Sequence, residues 1–205
     1  MKMMGEGAEA KVYSGNFLGV EVVIKDRVRK RYRIKEIDDS LRKRRTKTEA
    51  RMLYAASSNG INAPNVLLVD GTKLYIRRIK ARNLHEYTNG GMVMAGAKMG
   101  HALYSAGVQC GILHNIGIAH GDFTPANMMI DGDGGLWIID FGLAEATRSA
   151  EDKALDLLLM KRAVSKGLFA RFLSGYRKSS VAHAEITRRL AEIERRGRYQ
   201  TRTLG

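Results

Sequence analysis

His120-Gly121-Asp122-Phe123-Thr124-Pro125-Ala126-Asn127 decides the reading of this chain, because an Asp is followed five residues later by an Asn. The stretch lies between a helix-like run and a short hairpin pattern. Such a loop suits phosphoryl-transfer chemistry: Asp122 can orient or deprotonate an attacking hydroxyl or water, while the carbonyl of Asn127 holds Mg²⁺ on the phosphates. Taken alone it also reads as a polar turn before a strand, where Asp and Asn are common. Thirteen residues after Asn127, the apolar run Leu136-Trp137-Ile138-Ile139 delivers Asp140-Phe141-Gly142. A carboxylate at the end of such a strand can bridge Mg²⁺ to the β- and γ-phosphates. Each motif is weak by itself, and the ordered pair is strong.

Working outward toward the N-terminus, Val22-Val23-Ile24-Lys25 has the form of the strand lysine of kinases, whose ammonium neutralises phosphate oxygens. A lysine in that role needs a carboxylate to hold it. Glu49 is the only acidic residue between Asp39 and Asp70, which makes it the candidate. The phosphate-covering loop would be Gly5-Glu6-Gly7-Ala8-Glu9-Ala10, with Ala10 where a third glycine would fall and Val12 on the strand that follows. Small residues there let backbone N–H groups approach phosphates. Without the downstream motifs, Lys25 would read as a surface lysine, Glu49 as a surface acid and the loop as a loose terminus.

The pattern around these motifs is β-rich first and helical later. Lys11-Tyr13 and Val20-Ile24 read as strands, residues 41–56 as a helix, and Val66-Val69 with Leu74-Ile79 as a hairpin turned at Asp70-Gly71. Residues 92–116 read as a helix with Met99, Leu103 and Ala106 on one face, although its glycines weaken that assignment. A short hairpin follows at Met128-Ile130 and Leu136-Ile139, and helices close the chain over 153–173 and 181–196. Ile186, Leu190 and Ile193 form a buried stripe on the last. The expected fold is α+β and two-lobed, of protein-kinase type: residues 1–205 form one minimal domain, with a β-rich N-lobe over 1–80. A truncated, mostly helical C-lobe spans 81–205 and ends in a basic tail from 195.

The chain has 205 residues, 44% hydrophobic and 27% charged, which is globular material rather than disorder. No apolar run is long enough to span a membrane, and no apolar signal segment opens the chain. The single Cys110 builds no disulfide framework and reads as a small buried hydrophobe. His85, His101 and His183 lack metal-site spacing, and His120 reads as a brace for its loop rather than a base. These features point to a soluble, cytoplasmic protein. The formal net charge is +14, concentrated between Lys25 and Lys47 and again between Arg188 and Arg202. Such clusters read either as a solvated basic surface or as contact with nucleic acid or an acidic protein.

With these residues in view, the chain resembles the minimal atypical Ser/Thr kinase and ATPase of the KEOPS (EKC) complex, of BUD type and related to the RIO kinases. The likeness runs nearly end to end. It is carried by Gly7-Ala8-Glu9-Ala10, by Val23-Ile24-Lys25 with Lys30-Arg31-Tyr32-Arg33, and by Arg45-Thr46 with Glu49-Ala50-Arg51. Leu113-His114, His120-Gly121-Asp122, Asn127-Met128, Asp140-Phe141-Gly142, Glu151-Asp152-Lys153-Ala154, Asp156-Leu157 and Arg195-Arg196-Gly197-Arg198 continue it. The resemblance implies Asp122 as the catalytic aspartate and Asn127 and Asp140 as Mg²⁺ ligands. Lys25 with Glu49 would form the phosphate clamp, and Gly5, Gly7, Ala8, Glu9, Ala10 and Val12 would lie along the ATP. Asp156 would brace the catalytic loop. It further implies work beside the tRNA threonylcarbamoyl transferase subunit, met through the C-lobe and basic tail. A small regulatory subunit would be met through the N-lobe, and tRNA would be a third partner. The chain departs from the family at Ile76-Arg77-Arg78-Ile79-Lys80-Ala81, which is basic where an acid and a glycine are usual. Phe123 and Pro125-Ala126 likewise replace Leu and Thr-Ser.

Only 63 residues follow Gly142, with no Ala-Pro-Glu motif, so a large peptide-binding subdomain is not expected. Two other readings stay open. A small-molecule phosphotransferase of aminoglycoside or choline type shares the loop motif but usually adds helices around its substrate. A catalytically idle tRNA-binding scaffold would have no chemical need of Lys25, Asp122, Asn127 and Asp140 together.

Overall fold

Period-two alternation in Val20–Arg27 sets the N-lobe. Val22 and Ile24 are buried on one face of this strand, while Val23, Lys25 and Arg27 share the other. The structure, a computed structural model, describes residues 1–7, 9–88 and 96–200. The strand is β3 of a five-stranded antiparallel sheet that also holds β1 (Lys2–Glu6), β2 (Ala10–Phe17), β4 (Val66–Asp70) and β5 (Lys73–Arg77). Their order is β1-β2-β3-β5-β4. β1 was not expected: residues read as loop instead pair with β2, with an irregularity between Met3 and Gly5. The β4–β5 turn falls where Asp70-Gly71 predicts it, with Gly71 at φ 57°.

Helix α1 (Lys35–Ser58) follows β3 and packs Ala50, Leu53 and Ala56 into the core. It begins six residues earlier than the periodicity implies. The reason is tertiary: Asp38, in its first turn, is fully buried and accepts from the Lys30 N–H at 3.3 Å and from Arg42 Nε at 2.8 Å. Arg42 in turn donates to the Arg27 carbonyl. These bonds hold the basic segment 27–34 against the helix, which hydrophobic spacing cannot report.

The C-lobe starts at β6 (Ala81–Asn83) and the short α2 (His85–Thr88), and is built on α3 (Gly96–Asn115). The glycines of α3 do not interrupt it. A Cβ on Gly107 would stand 2.0 Å from the Phe172 carbonyl oxygen, and one on Gly175 would stand 2.0 Å from that of Tyr104. Small residues therefore let α3 and α5 (Lys166–Ser179) approach backbone to backbone. The expected helix over 153–173 is two helices, α4 (Ala150–Ala163) and α5. The break comes at extended Val164, and the Ser165 side chain accepts from the Leu168 N–H to start α5. A straight continuation would carry α5 away from the α3 glycines. α6 (His183–Gln200) buries Ile186 and Leu190, with Ile193 packed behind them.

Between the lobes, β7 (Ile118–Ala119) pairs with β10 (Glu145–Ala146). β8 (Met128–Asp131) and β9 (Leu136–Ile138) form the hairpin that joins β6. Asp131 closes its turn, accepting from Trp137 Nε1 and the Gly135 N–H at 2.7 Å each. Asn62 ties the lobes: its carbonyl accepts from the Ile138 N–H at 2.8 Å and its Nδ2 donates to the Leu136 carbonyl. No described helix is long and apolar enough to cross a membrane.

Candidate active site

Three elements converge on Lys25. From β3, its Nζ lies 2.5 Å from Glu49 Oε1 of α1 and 2.7 Å from Asp140 Oδ1, just past β9. Glu49 is 2% exposed, so its charge is viable only because each oxygen has a cation. Arg27 Nη2 takes Oε2 at 2.7 Å. Burial alone works against the charge on Lys25, but Glu49 and Asp140 outweigh it and raise its pKa above the ordinary 10.5. Burial likewise resists the charge on Asp140, and Lys25 with the Gly142 N–H overcomes it, lowering that carboxyl below its ordinary 3.8. Both groups are ionised at neutral pH.

Asp140 sits at φ 60°, left-handed backbone that Asp tolerates better than most residues but that still costs about 1–3 kcal/mol. That conformation turns the carboxylate back toward Lys25. Lys25 and the Gly142 N–H both engage Oδ1, leaving Oδ2 open to another partner.

The catalytic-type loop is held from beneath. Asp156 of α4 is fully buried; it accepts from the His120 N–H at 2.7 Å and the Gly121 N–H at 2.9 Å. His114 Nε2 lies 3.2 Å from the same carboxylate and His114 Nδ1 lies 2.9 Å from Tyr176 Oη, so a chain of bonds reaches α5. Gly121, at φ 78°, passes so near the Leu143 carbonyl that a Cβ would stand 2.5 Å from it. His120 is buried, which lowers its pKa, and its partners fit a neutral ring. Nε2 donates to the Ile139 carbonyl and Nδ1 accepts from the Asp122 N–H. It therefore braces the loop. Asn127 Nδ2 donates to Asp122 Oδ2 at 2.8 Å and to the Asp122 carbonyl at 2.9 Å, which leaves the Asn127 amide oxygen for another partner.

Two adjoining cavities open on this cluster. One, of about 290 Å³, is lined by Gly7, Glu9, Ala10, Val12, Lys25, Arg27, Asp122 and Asp140 among others. The second, of about 340 Å³, shares Val12, Lys25 and Asp140 and is otherwise mainly apolar, with Val23, Ile76, Met129 and Ile139 beside Arg77, Arg78 and Ile79. A charged chamber adjoining a more apolar one fits a nucleoside polyphosphate. Among the described residues no three His, Cys, Asp or Glu side chains group to hold a metal. Asp140 Oδ2 and the Asn127 amide oxygen nevertheless suit a Mg²⁺ ion that takes the rest of its shell from phosphates and water.

Of the residues expected from sequence, Gly7, Glu9, Ala10, Val12, Lys25, Asp122 and Asp140 line this cleft. Glu49 stands behind Lys25, and Asn127 behind Asp122. Gly5 lies in β1 opposite Val12 and lines neither cavity; Ala8 lies outside the described residues. Sequence reasoning missed Arg27 in the charged chamber and Val23, Met129 and Ile139 in the apolar one. Counting two residues on from Lys25, or back to Val23, along β3 would have found two of them.

Comparison with known proteins now bears on this geometry. A family model described as protein kinase domain matches residues 1–170. The KEOPS complex subunit Bud32 of Pyrococcus abyssi is 37% identical over 99% of this chain and 98% of its own length. The chain belongs to the Bud32 family. A second Bud32, the EKC/KEOPS complex subunit of Dictyostelium discoideum, is 31% identical over 97% of this chain and 83% of its own. A probable bifunctional tRNA threonylcarbamoyladenosine biosynthesis protein of Methanothermobacter thermautotrophicus is 35% identical over 96% of this chain, which spans 36% of that longer protein. Among solved structures, the Rio2 kinase of Chaetomium thermophilum, captured with ADP, Mg²⁺ and a phosphoaspartate, aligns at a TM-score of 0.62. It covers 96% of this chain and 70% of its own at 15% identity. That likeness places the Bud32-family chain in the protein-kinase-like fold, with its antiparallel N-lobe sheet and helical C-lobe.

Proposed function

We propose that the protein binds ATP with Mg²⁺ in the interlobe cleft and transfers or hydrolyses the γ-phosphoryl group. In this reading it is an atypical Ser/Thr kinase and ATPase subunit serving tRNA threonylcarbamoyladenosine modification. The observation that carries this is the convergence of Lys25, Asp140 and Asp122 on one charged chamber that adjoins a more apolar one. The names of the relatives support the tRNA pathway.

The adenine would lie against Val12, Val23, Ile76, Met129 and Ile139, and the phosphates against Lys25. Lys25, kept charged by Glu49, neutralises phosphate oxygens. Asp140 and Asn127 would hold the Mg²⁺, which when bound draws off charge developing on the phosphates. Asp122 Oδ2 is occupied by Asn127, so Oδ1 is the oxygen that accepts the proton of an attacking hydroxyl or water. Asp156 fixes the backbone on which Asp122 rides, which limits the motion that would misplace it.

By the same reading the protein works within a KEOPS assembly in the cytoplasm. Its C-lobe and tail would meet the transferase subunit, its N-lobe a small regulatory subunit, and its basic surface tRNA. On the N-lobe, Lys35, Lys43, Arg44, Lys47 and Arg51 of α1 are exposed. On the C-lobe, Arg188, Arg195 and Arg196 of α6 are exposed. Phosphate release from ATP, measured with Mg²⁺ and tRNA for wild type beside Asp122→Ala, tests the assignment. The variant should lose at least about a hundredfold in rate, and equal rates would sink it.

A further inference from the structure

Arg27 is more buried than any other arginine of the described cleft, at 7% exposure, and nothing in the phosphoryl-transfer reading requires it. It follows Lys25 by two residues on β3 and shares its face and its chamber. Its guanidinium is committed at both ends. Nη2 lies 2.7 Å from Glu49 Oε2, and Nη1 lies 3.2 Å from Glu9 Oε2. Its Nε is buried without a hydrogen-bond partner. An unsatisfied buried donor is tolerated only where the remaining bonds compensate.

The two carboxylates belong to different parts of the site. Glu49 is the group that holds Lys25. Glu9 is half-exposed just before β2, where with Gly7 it lines the charged chamber, and it is also gripped by Arg45 Nη1 of α1 at 2.6 Å. The Arg45 hydrogen bond, with the added charge of Arg27, lowers the Glu9 pKa, so it is anionic at neutral pH. Charges therefore alternate without a gap along Arg45, Glu9, Arg27, Glu49, Lys25 and Asp140, from the outside of α1 to the metal-ligand position.

We propose that Arg27 is a positioning residue for nucleotide binding, joining the loop that covers the phosphates to the lysine clamp. Pulled by Glu9 on one side and Glu49 on the other, it sets where the covering loop rests relative to Lys25. Through these two contacts Arg27 acts on Glu9 and on the partner of Lys25 at once. Only a planar fork can do so; a lysine ammonium is a point charge and cannot span carboxylates held on opposite sides. Since the link sets the position of Glu9 relative to the clamp, its loss should fall more on ATP affinity than on turnover of bound ATP.

This inference rests on the ATP reading, and the test separates the two. ATP affinity with Mg²⁺, and KM and kcat for phosphate release, are measured for wild type, Arg27→Lys, Glu9→Gln and Lys25→Ala, with thermal melting of each. Arg27→Lys should weaken ATP binding and raise KM about tenfold, and Glu9→Gln about threefold, each loss falling more on KM than on kcat. In a further protein carrying both Arg27→Lys and Glu9→Gln, the double variant, the Glu9→Gln effect should vanish, because its link is already cut. If Arg27→Lys fails to fold, Glu9→Gln, whose side chain is half-exposed, still decides: an unchanged KM overturns the proposal. So does a folded Arg27→Lys with wild-type KM, or full additivity in the double variant. ATP binding by Lys25→Ala equal to wild type would instead overturn the ATP reading itself.

Discussion

The two halves of the cleft are held in place by different physics. On the N-lobe side, Lys25, Arg27 and Arg45 hold Glu49, Glu9 and Asp140 through ion pairs, several of them open to solvent. On the C-lobe side, Asp156, His114, Tyr176 and His120 form a buried hydrogen-bonded network under the catalytic loop. The exposed pairs to Glu9 contribute little stability and re-form readily, whereas the buried Glu49 pairs and the buried network are costly to leave half-satisfied. Under the proposed function, such a division would keep the floor of the cleft fixed while the Glu9 side adjusts to a nucleotide.

Breaking the floor should produce the largest effect. Asp156→Ala strands the His120 and Gly121 N–H groups and His114 in a buried site, and should destabilise the protein by roughly 3–5 kcal/mol. Denaturant unfolding would report this, and a loss below about 1 kcal/mol would contradict the contrast.

Acid should reach the floor before the Glu9 side. His120 has its folded pKa lowered from the ordinary 6.5 by burial, so its contribution is present above that value and is lost as pH falls toward the folded pKa. Glu9 and Asp140, lowered from 4.5 and 3.8, keep theirs until the solution is more acid than those values. Below about pH 6.5 stability should therefore fall, with a slope of at most about 1.4 kcal/mol per pH unit. The slope should disappear in a folded His120→Gln variant, and a slope that survives would assign it elsewhere.

The Glu9 side should respond least in stability. Glu9→Gln should cost about 0–1 kcal/mol in unfolding experiments, less at high salt, since its carboxylate is half-exposed. A cost as large as that of Asp156→Ala would erase the distinction.

How much of this was legible in sequence follows the same division. The motif residues Lys25, Asp122, Asn127 and Asp140 are readable because phosphoryl-transfer chemistry restricts residue type and spacing together. Ile186, Leu190 and Ile193 are readable because a buried face imposes a helical period. The helix break at Val164-Ser165 is marked locally only by the Ser165 cap, which hydrophobic spacing does not register, and it goes with the close approach of α3 and α5 through Gly107 and Gly175. The early start of α1 depends on Asp38 meeting Arg42 and the Lys30 backbone, and β1 depends on pairing with β2. Arg27 was hidden differently, inside a run of basic residues where one buried arginine looks like its exposed neighbours.

Under the proposed function, this cleft holds ATP through a metal. Calorimetric titration of ATP into wild type and Asp140→Asn, each with and without Mg²⁺, tests it most directly. Mg²⁺ should strengthen ATP binding to wild type by at least about tenfold and make little difference to Asp140→Asn. Equal dependence on Mg²⁺ in both proteins would contradict the account.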